Sequence, residues 1–109
     1  MSDYQLDRFT ILLVEDNSYI RQTIEDLLRS FRIGRIATAV NGEDAIAYLK
    51  DMKRVQNPGP DIIISDMIMS PINGLLLLRW VRTSKESPNR FVPYIMLSGA
   101  ADREYVASA

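Results

Sequence analysis

Asp61-Ile62-Ile63-Ile64-Ser65-Asp66 decides the fold. Three consecutive isoleucines are too short a run for a helix. In an extended chain they point to alternate sides, so both sides must be covered. The Gln56-Asn57-Pro58-Gly59-Pro60 stretch before it is the clearest loop in the chain, and Met69-Ser70-Pro71-Ile72-Asn73-Gly74 after it is irregular. Working outward, Phe9-Thr10-Ile11-Leu12-Leu13-Val14 is a second compact apolar run, closed by Glu15-Asp16. Tyr94-Ile95-Met96-Leu97-Ser98 is a third, and Ile36 to Val40 a shorter one. All four read as strands, and the one at Tyr94 is expected to be buried.

Between the strands the period changes. Ile20, Ile24, Leu27, Leu28 and Phe31 form one stripe of an amphipathic helix, with Asn17 or Ser18 as its cap and Gly34 closing the turn beyond it. Ala45, Ile46, Leu49 and Met52 form the next stripe, after an Asn41-Gly42 cap signal and with Glu43 and Asp44 at the positive end of the helix dipole. Leu75 to Thr83 reads as a third helix, buried through some of Leu75, Leu77, Leu78 and Val81, and a fourth helical pattern starts at Ala101. Strands alternating with helices imply an α/β, doubly wound parallel sheet with right-handed crossovers. Residues 1–109 read as one domain.

Composition narrows the chemistry. The 109 residues carry 13 Lys+Arg against 14 Asp+Glu, for a net charge of −1, which argues against holding nucleic acid by bulk electrostatics. There is no cysteine, so disulfides, thiolate metal sites and cysteine nucleophiles are excluded, and no histidine, which removes imidazole metal sites and Ser-His-Asp triads. No apolar stretch approaches a membrane-spanning length, and Met1-Ser2-Asp3-Tyr4 does not open a signal sequence. A cytoplasmic domain working through carboxylates, hydroxyls and metal ions is the expectation.

Those groups collect at the strand ends: Glu15 and Asp16 after the first strand, Asp66 at the end of the third, Ser98 at the end of the fourth. In parallel sheets of this kind ligands bind at the carboxyl ends of the strands. Acids there also commonly cap helices or lie in solvent. Three converging carboxylates, however, would repel unless one kept its proton or a cation intervened. An all-oxygen donor set suits magnesium (Mg2+). The chemistry this points to is magnesium-assisted phosphoryl transfer with an aspartate nucleophile.

Leu13-Val14-Glu15-Asp16-Asn17, then Asp61 to Met67 with Met69 and Gly74, then Ile95-Met96-Leu97-Ser98-Gly99-Ala100, resemble the CheY-like receiver domain of two-component response regulators, in register from about Phe9 onward. The resemblance implies a flavodoxin-like sheet of order 2-1-3-4. It implies that Asp66 is the phosphoacceptor, that Asp16, Glu15, Asp66 and the Ile68 backbone carbonyl serve the metal, and that Ser98 is the switch hydroxyl. The backbone N–H groups of Met67 and Gly99 would face the phosphoryl oxygens. The implied partners are a sensor histidine kinase or phosphotransfer protein and a downstream protein or effector domain. The implied role is a signalling switch and not an enzyme with an external substrate.

Two departures from the family pattern stand out. Ser70 occupies the place of the usual proline, with Pro71 following it. The family's lysine, fifth strand and fifth helix have no counterpart before Ala109, since Lys50, Lys53 and Lys85 lie elsewhere. The chain is therefore expected to be a fragment of a longer polypeptide. Two other readings stay open: a degenerate receiver that binds partners without phosphorylation, and an aspartyl-nucleophile phosphatase. The second would lack its general acid, because Ile68 stands two residues past Asp66. The cations Arg79, Arg82, Lys85 and Arg90 form a basic cluster whose default reading is a solvated face.

Overall fold

The computed structural model describes residues 6–97. After a 3-10 turn at Leu6–Arg8, the chain runs β1 (Thr10–Val14), α1 (Ser18–Ser30), β2 (Arg35–Ala39), α2 (Gly42–Arg54), β3 (Ile62–Asp66), α3 (Gly74–Thr83) and β4 (Tyr94–Leu97). The strands form one parallel sheet of order β2-β1-β3-β4, as the alternation and the resemblance implied.

Neighbouring residues of a strand face opposite layers. Leu12, Val14 and Ile63 join Ala39, Ala45, Leu49, Met69, Leu77, Val81 and Val92 in the core beneath α2 and α3. Ile11, Leu13 and Ile64 face the other way, against Ile24, Leu28, Ile33 and Ile36. Met69 and the half-buried Trp80 belong to the first core, so both are packing residues.

Each helix begins at an asparagine whose side chain accepts a backbone N–H two or three residues into the first turn. Asn17 accepts from Ile20 N at 3.0 Å, Asn41 from Asp44 N at 2.8 Å, and Asn73 from Leu76 N at 2.9 Å.

Two expectations are corrected, that Gly34 closes the turn after α1 and that the strand at Tyr94 is buried. No residue of α1 is fully buried, and Ile20, Leu27 and Phe31 of its stripe are exposed. Among the described residues that layer has one helix where the other has two, too little to cover five apolar side chains. Gly34 is not the residue that turns α1. Arg32 takes the left-handed conformation (φ 62°), and Gly34 instead lets the chain pass against the Asp7 carbonyl, with its N–H on Leu6 O at 2.9 Å. The third helix is buried through some of its expected residues: α3 turns Gly74, Leu77 and Val81 to the sheet and leaves Leu75 exposed. The strand at Tyr94 is not buried: β4 is outermost among the described strands and Ile95 is 47% exposed. The pattern starting at Ala101 lies outside the described residues.

Candidate phosphoacceptor and metal site

Register brings the acids together. Val14 pairs with Ser65, so the next residue on each chain, Glu15 and Asp66, emerges side by side at the carboxyl rim. Glu15 N donates to Ala39 O at 3.1 Å, which holds the rim to β2 as well. One carboxylate oxygen from each of Glu15, Asp16 and Asp66 lies within 4.8 Å of the others.

The three acids sit in different surroundings. Glu15 is buried, Asp16 is exposed and Asp66 is half-buried. Burial pushes the Glu15 carboxyl up from its usual range. The Asn17 N–H, at 3.1 Å from its carboxylate, opposes this, and the charges of Asp66 and Asp16 add to the rise. The Glu15 carbonyl accepts from Arg21 Nη1 at 2.8 Å, so α1 steadies the same turn. An all-oxygen, triply acidic set with one member in a desolvated position fits a hard divalent cation such as Mg2+.

Ile68 is exposed beside the cluster. Met67 N–H donates to Leu97 O at 3.3 Å, a long last rung of the β3–β4 ladder, so it is engaged by the protein itself. Asp66 pairs in register with Leu97. Ser98 and Gly99 lie outside the described residues.

Sequence reasoning missed a polar link behind the phosphoacceptor candidate. Ser65 Oγ lies 2.7 Å from Tyr94 Oη, and that phenol donates to Gly74 O at 3.3 Å. With the phenol proton on Gly74, the serine donates to the phenol. The link joins the residue before Asp66, the start of β4 and the start of α3. A serine interrupting an aliphatic strand was the available signal, because a fully buried hydroxyl needs a partner.

Burial pushes the Tyr94 phenol up to about 12, while Ser65 and then Arg82 act the other way. A raised tyrosine pKa contributes stability that is complete below the unfolded value of about 10 and is lost as pH rises through the folded one. An alkaline titration followed by tyrosinate absorbance should show one phenol ionising near pH 12, a step that Tyr94→Phe removes. A parent in which every phenol ionised in the ordinary range of about pH 10 would show that Tyr94 is not held buried.

Comparisons with known proteins bear on the family and the fold. The family model described as response regulator receiver domain matches residues 11–109. A protein-glutamate methylesterase/protein-glutamine glutaminase of Methanosarcina barkeri is 34% identical over 95 residues, covering 84% of this chain and 22% of that protein. The transcriptional regulatory protein AfsQ1 of Streptomyces coelicolor is 34% identical over 80 residues, covering 72% of this chain and 32% of that protein. The chain thus spans under a third of the length of these curated relatives. A response regulator receiver protein from Pseudomonas putida superposes with a TM-score of 0.71 at 31% identity, covering 92% of this chain and 75% of that one. A parallel 2-1-3-4 sheet, an acidic rim at its carboxyl edge and a family match from β1 onward lead to one conclusion: the chain belongs to the response regulator receiver domain family of two-component systems.

Proposed function

We propose that residues 1–109 act in the cytoplasm as a phosphoaccepting switch, with Asp66 taking a phosphoryl group from a phosphohistidine on a sensor histidine kinase or phosphotransfer protein. The observation that carries this reading is the convergence of the Glu15, Asp16 and Asp66 carboxylates within 4.8 Å. In the transfer an Asp66 carboxylate oxygen bonds to phosphorus as the phosphorus–nitrogen bond breaks, and the imidazole leaves with the electron pair and takes a proton. Glu15, Asp16, Asp66 and the Ile68 backbone carbonyl would hold Mg2+. When bound, the ion offsets the charge shared by the acids and the phosphoryl oxygens.

The chain's own residues do the rest. The burial of Glu15 and its bond from Asn17 fix one wall of the site. The long rung from Met67 N–H to Leu97 O is weak enough to give way, which frees that donor for a phosphoryl oxygen. By the family's pattern Ser98 and the Gly99 N–H, outside the described residues, would supply the remaining donors. The phosphorylated chain then changes its hold on a downstream protein or effector domain. It turns over no external substrate.

The test is incubation of the chain with acetyl phosphate and Mg2+, read by intact mass. One phosphoryl group should be added, and labelling should fall below detection in Asp66→Asn and without Mg2+. Labelling that survives in Asp66→Asn overturns the assignment. A folded parent that never labels would make the chain a phosphorylation-independent binding module. Rapid continuous release of phosphate would make it a phosphatase.

A further inference from the structure

We infer that the amino-terminal end of the sheet, away from the acidic rim, carries a binding site for a phosphate-class oxyanion. A cavity of about 400 Å³ there is lined by Lys53, Ser84, Lys85, Ser87 and Arg90. Its three cations come from two places: Lys53 from the last turn of α2, and Lys85 and Arg90 from the connection between α3 and β4. Among the described residues, none of the three has an ion pair. The nearby acid Glu86 is held instead by Lys50, at 3.6 Å. Parallel topology places this end a full strand length from the three carboxylates.

A solvated basic face would need nothing more, but two features go beyond it. The Ser87 side chain is 5% exposed, and its hydroxyl is the one buried side-chain group among the described residues with no hydrogen-bond partner. A buried hydroxyl left unpaired loses its hydration without compensation. A ligand oxygen in the cavity, met by a turn of the serine side chain, would satisfy it. Ser84 Oγ already accepts from Glu86 N at 3.0 Å, which leaves its proton to donate.

The surrounding loop is also held in place beforehand. Arg82 Nη1 donates to Arg90 O at 2.9 Å and to Val92 O at 2.7 Å, and Ser87 N to Ser84 O at 3.2 Å. Arg82 is thus a brace for the loop and not a free cation, and Arg79 does not line the cavity, so the site differs from the cluster visible in the sequence. The C-termini of α2 and α3 end nearby. Each brings about half a negative charge, and their carbonyls are partly capped, against three full positive charges. The balance favours an anion. A second hollow, of about 450 Å³, shares Lys53 and adds Arg54, which gives room for the organic part of a phosphomonoester.

The experiment is an amide-resolved NMR titration of the full chain with inorganic phosphate, without Mg2+ and at constant ionic strength. Saturable shifts are expected at Lys53 and across 84–90. Lys85→Ala should weaken binding roughly tenfold. Ser87→Ala should weaken it severalfold while leaving thermal unfolding no lower than the parent's. Binding should persist in Asp66→Asn, so its failure and that of the phosphoacceptor assignment are distinguishable. Glycerol 3-phosphate as a second titrant separates the sources: tighter binding assigns a phosphomonoester, equal or weaker binding free phosphate. Shifts that chloride reproduces, that never saturate, or that spread over all basic residues would overturn the site. So would Lys85→Ala and Ser87→Ala both binding like the parent. A strong preference for single-stranded nucleic acid, steeply weakened by salt, would replace it with a nucleic-acid surface.

Discussion

Gly74→Val is expected to cost the domain about 3 kcal/mol or more and to end labelling at Asp66. Gly74 is buried at the first position of α3. A Cβ there would fall against the Asp66 carbonyl oxygen, Met96 Sδ and Met67 Cα. Two of those three neighbours are backbone, and that backbone is the turn that carries Asp66, the proposed phosphoacceptor. A flexible side chain could swing away, but relief here must move Asp66 and Met67 themselves. Valine adds two further methyl groups in the same space. The shift would also strain the bond from Gly74 N to Met67 O at 2.9 Å and the acceptor role of Gly74 O toward Tyr94. Against a net stability of about 5–15 kcal/mol this is a large fraction. Urea unfolding measures the first loss, and acetyl phosphate labelling of the folded population the second. Alanine should lie between glycine and valine on both. A valine variant as stable as the parent and labelled at the same rate would show that the close approach does not constrain the site.

How far such features can be read without coordinates depends on whether the signal is local. The three isoleucines of β3 report two covered faces by themselves, and Asn17 and Asn41 cap within their own turns, so the strands and the first two helix starts were legible, whereas the strand order came from the family resemblance and the Asn73 cap was hidden in an irregular loop. The carboxylate cluster was legible because strand ends in a parallel sheet share one rim. What the sequence leaves open depends on partners distant in the chain. Ile20, Leu27 and Phe31 form a proper stripe, yet their burial depends on what else covers that layer. Four consecutive leucines at 75–78 carry no phase, so only packing decides that Leu77 goes inside and Leu75 outside. Tyr94 meets Ser65 across 29 residues, and Lys53 lines the same hollow as Lys85 from a different element. Neither encounter leaves a periodic trace.

Glu15→Gln should stabilise the chain in the absence of divalent ions and remove most of the response to Mg2+. Glu15 is the buried member of the acidic cluster, with Asp16 and Asp66 oxygens within 4.8 Å. Glutamine keeps the shape and an oxygen for the Asn17 N–H but cannot ionise. The sign follows from the raised carboxyl of Glu15, which shifts upward from 4.5 through burial first and the neighbouring acids after it. The parent therefore has its full share of stability below the unfolded value and loses it as pH rises through the folded one. Glutamine loses nothing over that window. The two proteins should converge in acid and separate toward neutral pH, the variant being higher by about 1 kcal/mol, or roughly 4–8 °C in melting midpoint. Added Mg2+ reverses the order: mass action raises the parent's midpoint, while the variant, with one negative ligand fewer, gains much less. Melting curves across pH with and without Mg2+ read both effects. A difference independent of pH, or equal stabilisation of both proteins by Mg2+, would mean that Glu15 neither carries the buried charge at neutral pH nor serves the ion.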